Sequence, residues 1–146
     1  MPTLRELAAG DKRAQVIDDA CKVLDQEVDD KSGVSGFAIK AAYKLVQGIK
    51  PGFIREVVDH LLDDFLDALD PLYQEAVNKG VSPGSHLQAN AGRVADALLA
   101  ITDKRAENAQ RAAIKKTYLK LRPTAKKHVE AAAPRLGAML DRHVPA

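Results

Sequence analysis

Tryptophan is absent from this 146-residue chain, and phenylalanine and tyrosine number only three each. So small an aromatic set leaves little material for base-stacking platforms or aromatic-rich binding surfaces. A lone cysteine, Cys21, excludes an intramolecular disulfide and any metal site built on a Cys pair. β-Branched residues are scarce as well, with 18 Val and Ile together against 24 Ala and 16 Leu. Ala and Leu lead the helix propensities whereas strands favour branched and aromatic side chains, so a sheet-dominated fold is excluded. Long apolar runs are missing too. The best candidate, residues 94–102, contains Asp96 and falls well short of the roughly 18 residues a membrane span needs. The first residues carry Arg5 and Glu6 and no apolar stretch, unlike a secretory leader, so a cytoplasmic location is expected.

What is present is a helical pattern. Hydrophobic residues make up 46% and charged ones 29%, the balance of a globular chain, and the length predicts one domain over 1–146. The net charge of +2 conceals a split: residues 1–80 hold 10 Lys and Arg against 15 Asp and Glu, residues 81–146 hold 12 against 5.

Thr3 and Glu6 have capping-box spacing, predicting a short helix over Leu4–Ala8. Asp11 is expected to cap a helix from Lys12 to Val28, with Val16, Ile17, Ala20, Cys21, Leu24 and Val28 on one face. Two glycines then end it, and Ser35 is expected to cap a helix to Ile49 that buries Ile39, Ala42, Tyr43, Val46 and Ile49. After the corner Lys50-Pro51-Gly52 comes the broadest apolar face, Ile54, Val57, Val58, Leu61, Leu62, Phe65, Leu66 and Leu69. This helix, about 52–69, is expected to sit at the centre, so Leu61→Asp or Phe65→Asp should unfold the chain. Asp70-Pro71 predicts a break and a short helix to Asn78. Val81-Ser82-Pro83-Gly84 reads as a loop, and Ser85 as the cap of a helix bearing Leu87, Ala91, Val94, Leu98 and Ile101. A helix with Ile114, Tyr118 and Leu121 inward should stop at Arg122-Pro123, followed by two pieces divided at Pro134. The fold class is therefore all-α, a bundle of six to eight helices.

The segments 30–36 (Asp-Lys-Ser-Gly-Val-Ser-Gly), 50–52 (Lys-Pro-Gly) and 94–103 (Val-Ala-Asp-Ala-Leu-Leu-Ala-Ile-Thr-Asp) resemble a family of short all-helical bacterial proteins of unknown function. The resemblance spans roughly Asp11 to Val144. It implies a small stand-alone bacterial protein and no particular activity.

Several groupings bear on chemistry. Glu56, Asp59, His60, Asp63, Asp64, Asp67 and Asp70 line the central helix. His60 and Asp64 share a face at metal-ligand spacing, but no Glu-x-x-His pair accompanies them, and a solvated acidic face is the plainer reading. Gly33–Gly36 before a helix has the form of an anion-binding turn, though Asp29 and Asp30 oppose an anion. Cys21 falls on an apolar face, where burial keeps it a thiol. Phe53, Phe65 and Met139 read as core, with an apolar ligand between helices as the alternative.

The most distinctive feature is a basic segment, Lys104, Arg105, Arg111, Lys115, Lys116, Lys120, Arg122, Lys126 and Lys127, opposed only by Asp103 and Glu107. Either it pairs internally with the acidic first 80 residues, the arrangement expected here, or it faces a polyanion such as nucleic acid or an anionic membrane. The sequence favours a non-enzymatic interaction or structural module over an enzyme, with itself or another protein as partner. No cofactor or metal is implied. A metal- or apolar-ligand-binding bundle is a further alternative.

Overall fold

The computed structural model describes residues 3–144, and among them seven helices and no strand. They are α1 (Leu4–Leu7), α2 (Lys12–Asp30), α3 (Gly33–Gln47), α4 (Phe53–Lys79), α5 (Pro83–Ala89), α6 (Ala91–Glu107) and α7 (Ala112–His143). The all-α bundle is as the periodicity predicts, but several joints differ.

Three prolines fail to break helices. Pro71 lies inside the 27-residue α4, and Pro123 and Pro134 lie inside the 32-residue α7. A proline within a helix costs about 3 kcal/mol. Beyond Pro71, however, α4 buries Leu72, Tyr73 and Ala76, and a fully buried large apolar side chain returns about 1.5–3 kcal/mol. All three rings stand on exposed positions. The carbonyl four residues earlier, deprived of its N–H, lies on the same side of the helix, where water can satisfy it.

Caps account for the other differences. The capping box at Thr3 and Glu6 forms as expected. Asp11 instead has helical backbone angles and makes no capping hydrogen bond. Ser35 lies within α3, which begins at Gly33. Ser82 rather than Ser85 caps α5, its Oγ accepting from the Ser85 N–H at 3.0 Å with Pro83 in the first turn. Pro51 stays outside α4. Gly52, at φ +75°, takes the left-handed turn into it, and Gly80, at φ +69°, ends it. The expected Ser85 helix divides at Asn90 into α5 and α6, and α6 continues past Asp103 to Glu107.

The core joins Leu4 and Ala8 of the N-terminal segment, Val16 and Ile17 of α2, Leu62, Leu66, Leu69, Leu72 and Tyr73 of α4, Leu87 of α5, Val94 of α6 and Leu140 of α7. Helix α3 packs against α2, α4 and α7 from outside this cluster, and its one buried residue is Gly36.

Candidate binding face

Arginine and lysine divide the charge chemistry between them. Eight of the nine arginines clamp a carboxylate among the described residues. Arg13 of α2 spans one turn of α4, reaching Asp63 at 2.8 Å and Asp59 at 2.9 Å. Arg5 pairs with Asp67, Arg55 with Asp18, and Arg142 with Asp19 at 2.8 Å. The guanidinium fork fits a carboxylate with two bonds, so it serves to lock neighbouring helices in register. The acidic side of α4 is solvated, as expected, and its carboxylates also form a row of inter-helix clamps. Asp64 is taken by Arg105 at 2.7 Å, leaving His60 exposed beside it, and Asp70 accepts the Leu4 N–H at 3.0 Å. No three His, Cys, Asp or Glu side chains converge on a metal position among the described residues.

The expected pairing of the basic segment with the acidic first 80 residues is therefore corrected. Of its nine cations only Arg105 makes an ion pair with that region among the described residues. Most carboxylates of α2 and α4 are already held by other arginines, from α1, α2, α4, α6 and the C-terminal half of α7. Arg122 binds Asp103 within the basic half (2.8 and 3.1 Å) and, with Tyr118 second, holds that carboxyl below its ordinary range. Lys126 pairs with Asp96 at 3.0 Å. Arg111 stands 5.9 Å from the centre of the Phe53 ring. Lys104 on α6 and Lys115, Lys116, Lys120 and Lys127 on α7 are exposed and make no ion pair among the described residues. Lys116, Lys120 and Lys127 follow the four- and seven-residue steps of one helix face.

Beside this face lies α3. Its inner side, expected to be buried, is half-buried at Ile39, Ala42, Tyr43 and Val46. Its outer side is apolar as well, with Val34 92%, Phe37 74% and Leu45 53% exposed and Ala38 and Ala41 exposed between them. The sequence reading missed this second stripe, although the 34, 37/38, 41, 45 spacing signals it. On α7, Leu119 is 61% exposed among the lysines. The two helices are joined where His128 shares a hydrogen bond with Ser35 (3.0 Å) and Lys31 donates to the His128 carbonyl (3.1 Å). Lys31 also pairs with the buried Glu27 at 3.1 Å, which leaves its ammonium engaged rather than free beside the Gly33–Gly36 turn. On the far side of α3, Lys40 and Lys44 face Asp25 and Asp29 across an open groove of about 640 Å³. Cys21 is half-buried against the core, and burial pushes its thiol up, as expected of an inert cysteine.

No helix among the described residues is long and apolar enough to cross a membrane. No curated protein and no solved structure matches the chain. A family model matches residues 4–144, and the chain belongs to that family, the family of unknown function DUF6918.

Proposed function

We propose that this member of a family of unknown function is a non-enzymatic binding module whose working surface is the lysine-rich outer face of α7, directed at an anionic partner. One observation carries the reading: Lys115, Lys116, Lys120 and Lys127 stand exposed without an ion-pair partner among the described residues, in a chain whose arginines are nearly all engaged. Unpaired lysines clustered on one helix raise the local potential and attract polyanions. A cytoplasmic setting, where a lone thiol stays reduced, accords with the single half-buried cysteine. The test is retention of the folded protein by duplex DNA, RNA and anionic vesicles at about 150 mM salt, where exposed charges beyond a Debye length are screened. At least one support is expected to retain the chain, and Lys115→Glu with Lys116→Glu to release it. No retention on any of the three overturns the reading.

A further inference from the structure

Resting on that reading of the α7 face, we infer that its occupant is the surface of an anionic lipid bilayer, into which the outer stripe of α3 inserts. Val34, Phe37 and Leu45 form an apolar line on α3 with no cover in the structure, and Leu119 adds an exposed apolar side chain on α7. Lysines accompany the line on both helices, Lys40 and Lys44 on α3 across the groove from Asp25 and Asp29, and Lys116, Lys120 and Lys127 on α7, which packs against α3. Neither α3 nor residues 112–129 of α7 contain a single acidic residue.

Charge complementarity selects among occupants. A second copy docking through the same face would set lysine against lysine. A nucleic acid would satisfy the ammonium groups, but Phe37 is the one aromatic of the stripe, and Val34, Leu45 and Leu119 offer bases nothing to stack on. A bilayer interface takes both kinds of side chain at once, with apolar tips in the acyl boundary and lysine stems reaching back to anionic headgroups. Each such lysine strengthens attachment about fivefold.

Because the chain has no tryptophan, Phe37→Trp places one reporter on the stripe. With vesicles of equimolar phosphatidylcholine and phosphatidylserine, its emission is expected to shift to the blue. With pure phosphatidylcholine or duplex DNA it should stay unchanged. Lys116→Glu with Lys120→Glu should weaken vesicle binding at least about 25-fold. Val34→Ser with Leu45→Ser should weaken it at least about tenfold. All four positions are exposed, and an unchanged helical circular dichroism spectrum checks that the fold is kept. Sedimentation with anionic vesicles without a blue shift, or an unaltered affinity in the serine variant, overturns insertion. Retention by DNA or RNA but not vesicles overturns the lipid inference and leaves the α7 reading standing, whereas no binding in any arm overturns both.

Discussion

Gly84 and Gly137 meet backbone to backbone where α5 crosses α7. A methyl group on Gly84 would stand 2.5 Å from the Gly137 carbonyl oxygen, and one on Gly137 would stand 2.6 Å from the Gly84 carbonyl oxygen. Both residues are buried, and the Gly84 N–H donates to Asp141 on α7 at 2.8 Å. The first turn of α5 therefore finds one of its acceptors on the helix it crosses, and only a residue without Cβ permits the approach.

Gly137→Ala is expected to destabilise the chain by about 1–3 kcal/mol, the usual cost of forcing atoms into a packed contact. Gly92→Ala is the control, because its methyl would lie at ordinary contact distance, 3.7 Å from Glu130. That change should be neutral or stabilising by up to about 1 kcal/mol, since alanine outranks glycine in a helix. Urea melts of the two variants against the parent measure the contrast.

The helical class and most inward faces were legible because three-four periodicity reports burial directly. Helix ends were not. Asp70-Pro71, Arg122-Pro123 and Pro134 carry the local chemistry of stops, yet the tertiary burial of Leu72, Tyr73, Ala76, Ala133 and Leu140 keeps the helices running through them. In the candidate site, the cluster Lys115, Lys116, Lys120 and Lys127 was visible as charge density. Which cations were already engaged was not, because Arg105 meets Asp64 across 41 positions of sequence. The outer stripe of α3 escaped notice because an apolar residue is read by default as core.

Leu62→Asp should unfold the chain, whereas Leu61→Asp and Phe65→Asp should weaken it less. Periodicity placed all three on the broad apolar face of α4, but Leu62 is buried while Leu61 and Phe65 are half-buried. A buried unpaired carboxylate costs several kcal/mol, comparable with a total stability of about 5–15 kcal/mol. Circular dichroism of the purified variants orders them, and an equally folded Leu62→Asp protein would contradict this placement of the core.

Glu27 is the buried acid that joins α2 to α7. It is 9% exposed and held by Lys31 at 3.1 Å and Arg135 at 3.0 Å. Glu27→Ala leaves the shielded Lys31 ammonium without its carboxylate and is expected to cost about 2–4 kcal/mol. Glu27→Met together with Lys31→Met should cost less than the two single changes added, with a coupling of about 0.5–3 kcal/mol. Simple additivity in a double-mutant cycle would show that the pair does not act as a unit.

Glu75 sets a pH dependence whose sign follows from its partners. Arg93 (2.7 and 2.9 Å) and His86 (2.9 Å) bind its two oxygens. Led by Arg93 and then His86, they lower its pKa from 4.5 to about 2. The folded chain therefore binds fewer protons here than the unfolded chain between those values. The contribution of the clamp is complete above 4.5 and fades as the pH falls towards about 2. Urea melts of the parent and Glu75→Gln should thus differ by a steady amount from about pH 7 to pH 5, and converge at lower pH. A gap that stays constant down to about pH 2 would mean that the ionised carboxylate is not what the clamp holds.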